Sequence, residues 1–176
     1  YKRPWFTPFR EKAGKLFVVA TDEVAEAKVM FPNADVVASG NPCWEDYFDP
    51  TMPRFEVRKL LGISDDAKVV LAVGGKDPIG NMIYADTIRV VGGVQEDVDI
   101  PCVVVLAPHP GDPVKPEHYE CFAEFSEVPV VKVVKPGVIP TRDLIAVSDV
   151  LVVLASNLGI EAACQRTPVI HYFHDM

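Results

Sequence analysis

Three groups of residues have the types and spacing to handle a polar, anionic ligand. The first is Ser156-Asn157-Leu158-Gly159, with Glu161 two positions on. An unbroken apolar run opens at Val150 and ends at Ser156, and good helix formers follow from Ile160 to Cys164. A buried strand that enters a helix through a small polar turn aims backbone N–H groups above the sheet, where an anion is favoured. Glu161, about one turn into that helix, has the chemistry to accept hydrogen bonds from two vicinal hydroxyls such as those of a ribose. The ordinary reading of the same residues is an N-cap and a solvated helix carboxylate.

The second group is Gly74-Gly75, directly after the expected buried strand 67–73. Glycines there let a ligand approach the backbone closely, although a plain turn needs them equally. The third is His109, held between Pro108 and Pro110. Fixed φ values on both sides restrict its backbone, and its ring can hydrogen-bond a phosphate or sugar hydroxyl or carry a proton near neutral pH. It is the one catalytic candidate.

Several other chemistries lack their signatures. The sequence has no G-x-G-x-x-G, no Walker A glycine-lysine-serine/threonine and no G-x-S-x-G elbow that would make Ser156 a nucleophile. His171, His174 and Asp175 are metal-ligand types without an evident scaffold, so no metal site is assigned.

The elements that must position these groups alternate. Strands are predicted over 16–20, 35–38, 67–73, 100–107, 128–134, 150–156 and 168–172. Helices are predicted over 23–30, 55–61, 81–91, 117–125, 141–147 and 160–164, with a further helix-like stretch over 44–48. Thr21 or Asp22 is the expected cap of the first helix, Gly62 the stop of the second, and Gly92-Gly93 the stop of the third. From residue 68 onward, single helices separate strands without internal alternation. This is the pattern of a doubly wound, mostly parallel α/β sheet. Right-handed crossovers put all the strand-to-helix loops on one edge: 74–80, 108–113, 135–140 and 156–161.

The chain has 176 residues, 49% hydrophobic and 24% charged, with a formal net charge of −8. That is enough for a globular core, and without Lys/Arg runs it argues against nucleic acid as a partner. Apolar runs of about seven residues are too short for a membrane span. Four scattered cysteines without a C-x-x-C pattern read as reduced thiols in a cytoplasmic protein. The aromatic, basic start from Tyr1 and the end at His171–Met176, directly after a strand, both read as cut edges of a longer protein.

Residues 68–172 resemble the C-terminal, nucleotide-sugar-binding domain of the glycosyltransferase-B fold, in particular the group of UDP-N-acetylglucosamine 2-epimerases and related sugar-nucleotide glycosyltransferases. The resemblance rests on Val73-Gly74-Gly75, His109-Pro110, Asp143-Leu144 through Ser148-Asp149, Ser156, Gly159 to Ala162, and Pro168-Val169-Ile170. Upstream, Val37 to Pro42 is similar to the strand and G-N-P turn that precede this domain. It implies a Rossmann-like domain over 56–176, incomplete at its C-terminal end. It also implies that 1–55 hold a connector and the last βαβ piece of a preceding domain.

By the same resemblance, Ser156, Asn157 and Gly159 would hold the diphosphate of a nucleotide sugar, UDP type favoured. Glu161 would hold the ribose, and the backbone at Val138-Ile139 would meet the base. Gly74, Gly75 and His109 would lie near the phosphates or the acceptor. No metal and no tightly bound cofactor is implied. The Ser-Gly-Gly turn of the epimerases is Ser156-Asn157-Leu158 here, and Arg166-Thr167 stands where a Gly usually precedes the final Pro. The first reading is thus the donor-binding part of a glycosyltransferase. An epimerase-like isomerase is the second reading, and a non-catalytic nucleotide-binding subunit that completes a two-chain enzyme is the third. The acceptor half would come from a missing N-terminal domain or partner chain, and homo-oligomer formation stays open. The isolated chain is expected to bind nucleotide sugar weakly and to turn nothing over.

Overall fold

The computed structural model describes residues 10–76, 78–126, 129–154 and 156–172. Residues 1–9, Asp77, Glu127, Val128, Ala155 and 173–176 lie outside it, and with them parts of the expected connector and of two expected strands. The described chain divides into two units, 1–46 and 47–176.

In the first unit, β1 (Lys15–Val18) and β2 (Asp35–Ala38) pair in parallel, Leu16 opposite Val36, with α1 (Glu23–Met30) between them. The cap of α1 differs from expectation. Asp22 makes no side-chain cap. Instead the Glu23 carboxylate accepts the Val19 and Ala20 N–H groups, at 2.9 and 3.3 Å. A longer acid one position into the helix reaches donors that the shorter Asp22 does not. The G-N-P turn is formed as a local device: Gly40 sits at φ 73°, and the Asn41 amide oxygen accepts the Cys43 N–H at 3.0 Å.

The second unit contains α2 (Arg54–Leu61), β3 (Lys68–Val73), α3 (Pro78–Val98), β4 (Cys102–Ala107), a 3-10 turn (Pro116–Tyr119) running into α4 (Glu120–Phe125), β5 (Val130–Val133), α5 (Thr141–Val147), β6 (Val150–Val153), α6 (Leu158–Cys164) and β7 (Val169–His171). The five strands are all parallel, in the order β5-β4-β3-β6-β7. The unbroken apolar strands are sorted by the period of two. Val69, Leu71, Val73, Val103, Val105, Leu151 and Val153 pack on one face with Val57, Leu144, Ile145, Val147 and Ala162. Val70, Ala72, Val104, Leu106 and Val152 pack on the other with Ile83, Tyr84, Val91 and Tyr119. Both faces are covered, as a parallel sheet requires.

One expected helix end is corrected. Gly92-Gly93 does not stop α3, which continues to Val98. Gly93 takes no left-handed φ, so it costs stability without ending the helix. The stop is set further on, by Asp99 at φ 51°, and the Gln95 side chain then accepts the Cys102 N–H at 2.9 Å. Gly93 is exposed, and nothing lies within 4 Å of a built Cβ. Gly93→Ala is therefore expected to stabilise the protein by about 1 kcal/mol, read as a higher urea midpoint at unchanged m-value. Residues 47–55 belong with the second unit. Asp143, fully buried, accepts the Thr51 and Met52 N–H groups at 2.6 and 3.2 Å and the Thr51 hydroxyl, which binds this segment into the second unit.

Candidate functional site

The strand order places β3 next to β4 on one side and β6 on the other, so the chain reverses direction across the sheet between β3 and β6. Crevices of doubly wound sheets open at such a switch point, outside the carboxyl ends of the strands. Register levels these ends: Val73 pairs with both Ala107 and Val153. The loops that carry Gly74-Gly75, His109 and Ser156 therefore start at one height. β5 ends one step away, with Val133 opposite Leu106, and leads into Val138-Ile139.

After β6, the turn closes on itself. The Ser156 hydroxyl accepts the Leu158 N–H at 3.3 Å, the Ser156 carbonyl accepts the Gly159 N–H, and the Asn157 carbonyl accepts from Ile160 and Glu161. Asn157, the residue at the cap, makes no side-chain cap, and the Ser156 and Asn157 side chains are exposed. Gly159 is needed for close packing: a Cβ there would stand 3.2 and 3.3 Å from the Cε1 and Nε2 of His171 on β7. This explains His171 as a neighbour of the turn; His174 and Asp175 lie outside the described residues.

Glu161 is not the solvated carboxylate of the ordinary reading. It is 7% exposed, and its enclosed Oε2 meets no hydrogen-bond donor among the described residues. Burial raises its pKa above the ordinary 4.5. A buried polar oxygen without a partner is uncommon in folded proteins and costs stability.

The glycine loop is more occupied than its composition implied. The Gly74 N–H donates to the Tyr84 hydroxyl oxygen at 2.9 Å, so this amide is committed inside the protein. Next to it, Lys76 is exposed and leans on the following loop, its Cε 3.4 Å from the place a Cβ on Gly111 would take. Sequence reasoning passed over Lys76, which belongs to no motif; its position after a glycine pair at the end of a buried strand was the available signal.

His109 is half-buried, and its Nδ1 accepts the Gly111 N–H at 2.8 Å. The neutral ring therefore carries its proton on Nε2, as a donor. Of the remaining pair, Val138 is 68% exposed, whereas the Ile139 side chain is 6% exposed and packs in the core, leaving only its backbone for a ligand. Asp143 and Asp149, both quoted for the family resemblance, have structural roles. Asp149 accepts the Val69 N–H at 2.8 Å and pairs with Arg54 and Lys68 at the opposite edge of the sheet. A cleft of about 400 Å³ lies at that edge, but its Arg54, Arg58 and Lys68 are balanced by Asp65, Asp66 and Asp149, so it selects no charged ligand. No described helix is long and apolar enough to cross a membrane.

No protein-family model matches the chain, and no curated protein matches it by sequence. Solved structures do match by fold. WaaG, a glycosyltransferase involved in lipopolysaccharide biosynthesis, is similar with a TM-score of 0.53 and 18% identity, over 88% of this chain and 43% of that one. The wall teichoic acid polymerase TagF is similar with a TM-score of 0.53 and 12% identity, over 98% and 42%. Alr3699/HepE of Anabaena, solved in complex with UDP and glucose, is similar with a TM-score of 0.51 and 16% identity, over 90% and 44%. The chain thus spans less than half the length of each. Its α/β architecture with a five-stranded parallel sheet is the one these proteins share, the glycosyltransferase-B fold.

Proposed function

We propose that the carboxyl edge of the five-stranded sheet is a donor site for a nucleotide-diphosphate sugar, UDP type favoured, and that the chain is the donor-binding part of a glycosyltransferase. The observation that carries the reading is Glu161, an enclosed carboxyl oxygen without a donor, one helical turn behind the Ser156 turn at the switch point. A ribose supplies the missing donors as vicinal hydroxyls. Ser156, Asn157 and Gly159 form the turn that meets the diphosphate. Lys76 and the Nε2–H of His109 add positive charge and a donor from the neighbouring loops, and the backbone at Val138-Ile139 meets the base. Two of the neighbours support this choice of ligand: WaaG is a glycosyltransferase, and HepE was solved with UDP and glucose. Four free cysteines fit a reducing, cytoplasmic setting.

Within this reading the chain binds and orients the donor. The acceptor site and the base that activates the acceptor come from the domain or partner that completes the protein. Isothermal titration of the chain with UDP, CDP, GDP and UDP-sugars tests the reading. Binding of at least one nucleotide is expected, with Lys76→Ala weakening it about tenfold, the loss of one charge-assisted contact. If wild type binds none of them at millimolar concentration, the reading fails. Product analysis with the complete protein separates transfer from epimerisation.

A further inference from the structure

We infer that Tyr84 is a positioning residue of this site: from within the core it locks the glycine loop after β3 to the histidine loop after β4. The inference rests on the donor-site reading above. Tyr84 is fully buried on α3, where a Phe would fill the same volume. Its hydroxyl accepts the Gly74 N–H at 2.9 Å, which sets the direction in which the loop leaves β3. Its ring meets Tyr119 edge-on, with 5.1 Å between centroids and 76° between planes. The Tyr119 hydroxyl donates to Asp112 Oδ2 at 2.7 Å, while Asp112 Oδ1 accepts the Val114 N–H at 2.9 Å. The Asp112 N–H in turn donates to the His109 carbonyl at 2.9 Å.

These contacts run without a gap from Gly74 to His109 through two buried rings. They explain why a chain would bury two phenols at this place. A buried hydroxyl costs stability unless it is bonded, and here each one is bonded to a loop of the site. Burial pushes both phenols up in pKa, so both stay neutral throughout the working range. The two loops also touch directly, since Lys76 and His109 both crowd the position of Gly111. Lys76 and the His109 Nε2–H can face one ligand together only if the loops beneath them keep one relative position. The Tyr84–Tyr119–Asp112 contacts supply that constraint.

The test uses Tyr84→Phe and Tyr119→Phe in the same chain, with UDP as the probe. Two readouts are taken: calorimetric affinity and backbone amide hydrogen exchange. Tyr84→Phe is expected to weaken UDP binding about tenfold, the worth of one net hydrogen bond. It is also expected to speed exchange at Gly74 while Val104 and Leu106 in β4 stay protected. Tyr119→Phe is expected to weaken binding less, because Asp112 keeps its bond to Val114, and the double variant is expected to fall short of the sum of the two. Unchanged UDP affinity in Tyr84→Phe overturns the inference and leaves the donor site standing, as does unchanged exchange at Gly74. If Tyr84→Phe does not fold, unchanged affinity in Tyr119→Phe overturns it. Failure of wild type to bind any of UDP, CDP, GDP and the UDP-sugars overturns the donor-site reading itself, and the inference with it.

Discussion

Glu161→Gln is expected to make the protein more stable and a poorer binder. The carboxyl is enclosed, and its Oε2 has no donor among the described residues. Desolvation therefore raises its folded pKa above the ordinary 4.5. The sign follows from linkage. A carboxyl whose pKa is raised on folding favours the folded state while it is protonated, and that contribution is lost as pH rises through the folded value. Gln carries no such penalty at any pH. Thermal midpoints of variant and wild type should coincide below pH 4.5 and separate as pH rises, with the variant higher. Nucleotide affinity should move the other way, falling about tenfold or more, because a neutral amide bonds two hydroxyls more weakly than a carboxylate. This exchange of stability for function is the usual mark of a binding residue. A variant that binds UDP as wild type does, at any stability, would remove Glu161 from the site.

Asp143→Ala is expected to be the most destabilising of the single changes considered. The carboxylate is fully buried and accepts two backbone N–H groups and a hydroxyl from the segment at Thr51-Met52. Truncation leaves those donors without an acceptor inside the protein, a loss of about 3–5 kcal/mol. Asp149→Ala is the internal comparison. Asp149 is half-buried, holds one backbone N–H, and pairs with Arg54 and Lys68 at 3.6 and 3.5 Å, both partly exposed. Its loss should cost about 1–2 kcal/mol, most of it from the Val69 N–H rather than the surface pairs. Urea unfolding of both variants checks the order. Equal midpoints would mean that the Thr51 segment is held by other contacts.

Much of the architecture was legible in the residues. Apolar runs without alternation at 69–73, 102–107 and 150–153 dictate strands covered on both faces, and single helices between them dictate parallel pairing. Gly62 ends α2 in a left-handed conformation, as its place after Leu61 implied. What local reasoning misjudged were features decided by packing at a distance. Gly92-Gly93 resembles a helix stop, yet α3 passes through it because buried Val91 and the sheet beneath hold the helix on course. Asp143 and Asp149 lie six residues apart in one family-like stretch, yet one clips a distant segment and the other caps the opposite edge of the sheet.

Loop positions were enough to put the turn at Ser156, Glu161, the glycine pair and His109 on one sheet edge, because strand alternation alone brings those loops together. Their chemical state was beyond the reach of the sequence. That Glu161 is enclosed without a donor, that the Gly74 N–H is spent on Tyr84 and that Lys76 leans toward Gly111 follow from packing between elements, while His109 presents Nε2–H because the folded loop brings the Gly111 N–H to its Nδ1. Burial and hydrogen-bond partnership are properties of the packed whole: each depends on which distant atoms exclude water from a group. A linear pattern therefore determines which loops share a sheet edge, and only the tertiary structure decides which of their atoms are enclosed and which already have partners.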